Sequence, residues 1–338
     1  MSDIAREAGC SQSTVSVVLN ANRSVEISEE TRARVLRIAR RLGYERPPLR
    51  GLNARRPVSL GGHIAFVIDY MSTSPEAVVA LSGVRQATEQ TGNVVLVAET
   101  GNDPVLEPRT LEILIEHGVA AIIFACVFTR EISLPEILKT TRVPVFLLNC
   151  YSRDLRHPAV VPGEIAGGQR ATHALVKAGH RRIGTITGEP FMEATKDRLE
   201  GYRMVLATAD IPFDPELVIE GDWSASAGFR GTEELLDLAD PPTAIFCQND
   251  RMAIGCYEAL KGRGLSIPDD VSVIGFDDEE IARHLFPPLT SLVLPHRAMG
   301  RWTIEQFFHG VQQLDGKYPV TKLECPLVER DSIAPPNG

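Results

Sequence analysis

From residue 63 onward, short β-rich runs alternate with amphipathic helical stretches, and this alternation limits the possible folds more than any other feature of the chain. The runs span residues 63–69, 94–98, 120–125 and 145–149, then 182–187, 244–247 and 271–276. Helical periodicity covers residues 76–91, 169–178, 198–209 and 253–263 between them. Strands separated by helices of this length pair in parallel through crossovers, with both sheet faces covered. The series divides near residues 160–163 into two similar βα halves. Two doubly wound lobes are expected, with a ligand held in the cleft between their strand ends.

At 338 residues the chain exceeds one ordinary core. Its net charge of -9 is unevenly spread. Residues 1–60 hold eleven Arg, no Lys and six acids, a net +5, which leaves -14 for the rest. A basic head on an acidic body directs only the head toward a polyanion. The six cysteines are scattered without a C-x-x-C pair, which argues against a metal or redox framework. No run approaches a membrane span, and the N-terminus reads as polar helix rather than a signal peptide, so a cytoplasmic protein is expected.

Three helical patterns fill the head. Residues 3–8 stop at Gly9; residues 12–20 follow Ser11 as N-cap and bury Val15, Val18 and Leu19; a third starts at Ser28, buries Val35, Ile38, Ala39 and Leu42, and ends at Gly43. In the second helix Gln12, Ser13, Ser16 and Val17 share the face opposite the apolar one. Short polar side chains there can approach base edges, while arginines such as Arg23 neutralise phosphates. From periodicity alone a small surface helical subdomain fits equally well. Residues 46–57 form a basic linker broken by Pro and Gly.

The head motif Asp3-Ile-Ala-x-x-Ala-Gly-Cys-Ser-x-x-Thr-Val-Ser-Val-Val-Leu-Asn20 resembles that of the LacI/GalR family. Ile27-Ser-x-x-Thr-Arg-x-x-Val35 and Leu42-Gly-Tyr44 continue it, as do Ala178-Gly-His180, Arg198-x-x-Gly-Tyr202, Gly275-Phe-Asp-Asp278 and Pro287-Pro-Leu-Thr290 further on. The resemblance implies an all-α helix-turn-helix head over residues 1–45, a hinge over 46–61, and a dimerising core over 62–338. That core is periplasmic-binding-protein-like α/β, with two doubly wound parallel-sheet lobes. The first lobe would take about 62–160 and 293–322, the second about 163–290 and 323–338. DNA contacts are expected from Ser11, Gln12, Ser13, Thr14, Ser16, Val17, Asn20 and Arg23. Val17 stands where the family usually has Arg, leaving apolar contact to a thymine methyl. Leu49 or Leu52 would wedge into the minor groove, on a hinge that departs from the family's in its two prolines and glycine. The starting residue also departs from the family's usual one, as a downstream start would leave it, at the expense of some phosphate contacts.

A sugar site needs charged or amide groups that grip hydroxyls and an aromatic face for the ring. Arg198, Trp223, Asn249 and Asp277 sit near strand ends of the second half, and the resemblance implies that these four positions line the effector cleft. Each also has a plainer reading: Arg198 as a surface ion pair, Trp223 as core, Asn249 as an N-cap. Asp277, in Asp277-Asp-Glu-Glu280, reads alternatively as a solvated helix start or a cation site. Asp69 and Tyr70 are expected to close the cleft from the first lobe, and Phe286 to add an apolar wall. Leu294 and Ala166 replace polar residues common in relatives, so the ligand differs in shape.

No G-x-G-x-x-G follows a first strand, and no G-x-S-x-G, H-E-x-x-H or P-loop occurs. His180 reads as a helix C-terminal residue rather than a base. A transport-type binding protein would share the core but carry a signal peptide in place of the head. The expected function is a repressor of double-stranded operator DNA, working without cofactor or metal and responding to a sugar by relief of repression or by co-repression; a non-sugar effector is the alternative. The tail lacks heptads, so a homodimer is expected rather than a coiled-coil tetramer.

Overall fold

The computed structural model describes residues 5, 7–11, 14, 15, 18, 27–41, 62–71, 75–89 and 91–337. The chain forms two compact units, Met1–Arg56 and Pro57–Gly338.

In the first unit, residues 5, 7 and 8 are helical and the chain turns at Gly9, whose φ of 61° suits a residue without Cβ. Ser11 Oγ then accepts the Thr14 amide at 3.0 Å, capping a helix that includes residues 14, 15 and 18. Ser28 Oγ accepts the Thr31 amide at 3.3 Å at the start of α1 (Glu29–Arg41). Ala5, Ala8, Val15, Val18 and Val35 make the small core, with Cys10, Ile27 and Ile38 packed against it. The apolar spacing in the sequence thus builds a helical head around one buried stripe.

The second unit holds two six-stranded sheets. The first is ordered β11 (Val320–Leu323), β5 (Ala159–Pro162), β4 (Val145–Tyr151), β3 (Ala121–Glu131), β1 (His63–Ile68), β2 (Val94–Glu99), with parallel neighbours throughout. Helices α2 (Pro75–Thr88), α3 (Leu106–Glu116), α4 (Glu136–Thr140) and α9 (His296–His309) accompany it. Alternate residues of β1 serve opposite faces: Ile64, Phe66 and Ile68 join one core cluster, Ala65 and Val67 another. The second sheet is ordered β12 (Leu327–Val328), β10 (Thr290–Val293), β9 (Ser272–Asp277), β8 (Ala244–Cys247), β6 (Ile183–Thr187), β7 (Val218–Glu220). It departs from an all-parallel expectation at one edge, where β12 runs antiparallel to β10. Its helices are α5 (Glu164–Ala178), α6 (Glu193–Thr208), α7 (Ala225–Leu236) and α8 (Asp250–Gly262).

The chain passes between the lobes three times, after β5, after β10 and after β11. Two differences from the sequence reading bear on the site. Helix α6 begins at Glu193, so Arg198 lies inside it rather than opening it. Strand β3 runs on to Glu131, well past the expected end at residue 125, with a register irregularity between Ala125 and Arg130. Among the described residues no helix is long and apolar enough to cross a membrane.

Candidate effector site

A cavity of about 280 Å³ is lined from both lobes. The first lobe supplies Glu76 at the start of α2, Val127, Phe128 and Thr129 from the extended end of β3, and Asn149 from β4. The second supplies Glu164, Glu189, Met192, Arg198, Trp223, Asn249, Arg251 and Asp277; Leu294 lies on the passage after β10, and His296 opens α9 on the first lobe. These positions cluster at the C-terminal ends of parallel strands, where doubly wound sheets open a crevice.

Arg198 is the most constrained group in the site. Its Nε and Nη2 donate to Glu164 Oε2 and Oε1 at 2.7 and 3.1 Å, and Nη1 donates to the Gln248 carbonyl. The same Nη1 lies 3.7 Å from Asp277 Oδ1, and the guanidinium stacks over Phe276 at 3.6 Å from the ring centroid. The surface ion-pair reading therefore fails, because Arg198 is only 3 % exposed. Close helix packing makes this possible: a Cβ on Gly168 of α5 would overlap the Arg198 carbonyl. Burial pushes the Asp277 carboxyl well above its usual range, against the pull of Arg198.

Asn249 combines its two expected roles. Its Oδ1 accepts the Met252 amide at 2.8 Å as N-cap of α8, and Nδ2 donates to the Trp223 carbonyl at 3.0 Å. The cap thereby anchors the tryptophan loop. Trp223 sits at φ 64°, its ring against Gly188 where a Cβ would overlap it, and Nε1 donates to Met192 Sδ at 3.0 Å. Asn149 at φ 58° and Asp277 at φ 108° are likewise held in the left-handed region. Such backbone costs roughly 1–3 kcal/mol per residue and gathers where side chains must be aimed.

Asp69 is buried behind the site rather than in it. Its Oδ1 accepts the Tyr70 and Val127 amides at 2.9 Å each, and Oδ2 pairs with Arg130 Nη2 at 2.9 Å. It thus holds the β3 extension that carries Phe128 and Thr129. Asn149 helps, accepting from Thr129 Oγ1 at 2.5 Å and donating to the Val127 carbonyl at 2.8 Å. Tyr70 and Phe286 are absent from the lining; Phe286 is 95 % exposed. The apolar wall expected of Phe286 is made instead by Phe128, Trp223, Met192 and Leu294. Glu76, Phe128, Asn149, Glu164, Glu189 and His296 escape the sequence reading, although Asn149 follows directly on an apolar run, much as Asn249 stands one residue beyond one.

The lobes also touch beside the cavity. Glu193 of α6 accepts from the Glu131 amide at 3.0 Å and from the Tyr151 hydroxyl at 3.2 and 3.1 Å. Burial and the neighbouring Glu193 charge push Tyr151 up to about 12.

In the head, Ser11 and Thr14 lie at the cap of the second helix, with their hydroxyls 2.9 Å apart. Gln12, Ser13, Ser16, Val17, Asn20, Arg23, Leu49 and Leu52 lie outside the described residues.

Comparison with known proteins matches residues 1–47 to bacterial regulatory proteins of the lacI family and residues 172–333 to a periplasmic binding protein-like domain. The chain is 32 % identical over 334 residues to the ribose operon repressor of Haemophilus influenzae, covering 98 % of each. Among solved structures, the regulator CelR in complex with cellobiose is 29 % identical, with TM-score 0.66 and coverage of 97 % of this chain and 98 % of that one. A LacI family regulator from Enterococcus faecium with bound ribose is 26 % identical, with TM-score 0.65 over 81 % of this chain and 99 % of that one. A head and a two-lobed core of this order, matched end to end at this identity, place the protein: the chain belongs to the LacI family of bacterial transcriptional regulators.

Proposed function

We propose that the protein is a homodimeric repressor in the cytoplasm whose affinity for double-stranded operator DNA is set by a sugar bound between the lobes. The observation that carries this reading is the cavity itself. A buried Arg198, with Asn249 and Asp277 at strand ends, faces an aromatic wall across about 280 Å³. That is the polar grip and ring face a carbohydrate requires. Relatives named for ribose, and neighbours solved with ribose and cellobiose, support the sugar class and leave its member open. A regulator rather than an enzyme is the corresponding reading of a chain whose relatives are named as repressors.

The second copy would cover the first lobe's open edge. Strand β2 ends that sheet, with Val94 56 % and Val97 46 % exposed. An uncovered apolar edge invites pairing. DNA would be read by the helix following Ser11, including Gln12, Ser13, Ser16, Val17 and Asn20, with Arg23 on phosphate and Leu49 or Leu52 as the wedge.

Ligand and DNA are linked through the lobes. A sugar that favours one lobe arrangement shifts the spacing of the paired heads, and a coupling of about 1–3 kcal/mol changes operator affinity roughly 5- to 150-fold. The test is fluorescence anisotropy on a DNA fragment selected by the protein from a random pool, titrated with and without sugars. Binding should fall steeply with salt as counterions are released. Absence of sequence-selective DNA binding, or affinity that ignores every sugar, overturns the reading.

A further inference from the structure

The cavity lies along a broad run of strand ends. Its lining residues Leu294, Asp277, Asn249, Glu189 and Trp223 stand at or just beyond the ends of β10, β9, β8, β6 and β7, five neighbouring strands of the second sheet. Four strand spacings of about 4.8 Å cover about 19 Å. At bond lengths of about 1.5 Å, a single hexose ring reaches roughly 5.5 Å between opposite hydroxyl oxygens. With a hydrogen bond of about 2.8 Å at each end it serves groups about 11 Å apart. The volume of about 280 Å³ also approaches the roughly 300 Å³ at which pockets begin to enclose drug-sized ligands. One ring leaves much of this lining untouched.

The lining also offers two aromatic side chains from different lobes. Trp223 belongs to the polar group around Arg198, whose guanidinium lies 5.5 Å from its ring centroid. Phe128 is carried by the β3 extension of the first lobe, which meets the second lobe at the start of α6, where Glu193 accepts the Glu131 amide. Asp69 and Asn149 hold Val127 and Thr129 on either side of it, yet Phe128 itself is 47 % exposed. A ring fixed in place but half open to water is a ready face for the C–H surface of a sugar. Unmet polar atoms stand in both lobes as well. Glu189 Oε2, beyond β6, and His296 Nδ1, at the start of α9, are buried with no hydrogen-bond partner among the described residues. A hydroxyl both donates and accepts, so it suits either atom. A nucleobase beside Phe128 would supply a flat face but few donors for Glu189.

We propose that the cleft takes a disaccharide, with one ring against Trp223 beside Arg198, Asn249 and Asp277, and the other against Phe128 beside Glu189. This rests on the reading of the cleft as the effector site and narrows its ligand to two linked rings. Because the two aromatic faces belong to different lobes, the glycosidic link would tie the lobes together, which a single ring on Trp223 would not.

The experiment is calorimetric titration of the full chain with cellobiose, maltose, lactose, melibiose, sucrose and trehalose. Each is set beside its constituent glucose, galactose or fructose, with ribose, adenosine and cytidine alongside. At least one disaccharide should bind ten-fold or more tighter than its own monosaccharides and than ribose. Phe128→Ala should cut that lead to within a few-fold, Phe128→Tyr should keep it, and Glu189→Ala should reduce it from a second position. Unfolding temperatures of the unliganded variants are measured alongside to establish folding. A lead that Phe128→Ala and Glu189→Ala leave intact overturns the proposal, because the second ring then lies elsewhere. A monosaccharide that matches or exceeds every disaccharide overturns it while sparing the sugar-effector reading. Tighter binding of a nucleoside overturns it by assigning the second ring to a base. Silence from every carbohydrate, with operator affinity unmoved, sinks both.

Discussion

Arg198 and Glu164 face each other as a two-pronged ion pair with side-chain exposures of 4 % and 3 %, one from α6 and the other from the first turn of α5. Removing one partner strands a buried charge, which costs about 3–5 kcal/mol. Glu164→Ala and Arg198→Ala should each lower stability by that order in urea unfolding, whereas the Glu164→Leu, Arg198→Met pair should lose much less than the sum. Additive losses would show that the two groups are not coupled. Arg198→Ala should further abolish the effector response while operator binding persists.

Trp223 lines the cavity and Trp302 packs against the core of the first lobe. Effector binding should therefore change the emission of Trp223 alone. The change should survive Trp302→Phe and vanish in Trp223→Phe; persistence in the latter would move the ligand elsewhere.

Tyr151→Phe removes a hydroxyl that bridges the lobes to Glu193 and leaves the Glu131 amide as that carboxylate's remaining partner there. A lost hydrogen bond of about 0.5–1.5 kcal/mol should weaken effector affinity roughly 2- to 10-fold by calorimetry. Unchanged affinity would mean that this contact does not report on lobe closure.

Asp250 accepts from Ser291 Oγ at 2.6 Å and from the Glu279 amide at 2.7 Å, yet burial pushes its carboxyl from 3.8 up to about 7. A carboxyl raised on folding binds more protons in the folded state. Its contribution is complete below the unfolded value and lost as pH rises through about 7. Asp250→Asn cannot titrate, so its unfolding temperature should fall less than that of wild type between about pH 5 and pH 8. Parallel profiles would assign the slope to other groups.

Ser28→Ala deletes the acceptor of the Thr31 amide at the start of α1. A lost cap of about 1 kcal/mol should weaken operator binding on warming while its salt dependence stays the same. A changed salt slope would mean that Ser28 contributes to the phosphate contacts.

The alternation of β-rich and helical segments is legible because parallel sheets need both faces covered. It shows seven of the strands and the two-lobed division directly. Short edge strands such as Val218–Glu220 and Leu327–Val328 escape it, being too brief to show a pattern. In the site, Arg198, Trp223, Asn249 and Asp277 are legible as polar or aromatic groups near strand ends. Glu164 and His296 are not, since a charged residue opening a helix normally faces water, and only the meeting of distant segments buries these two at 3 % and 4 % exposure. Phe286 misleads in the opposite sense: an aromatic beside two prolines suggests a wall, yet the chain turns it outward.

The three passages between lobes also have a consequence for synthesis on the ribosome. The first sheet lacks β11 until residue 323 has been made, and the second lacks β12 until residue 328. The helical head can collapse on its local contacts nearly three hundred residues earlier. During most of elongation, then, the nascent chain carries a finished head beside two unfinished sheets with open strand edges, the interval in which it most needs protection from its neighbours.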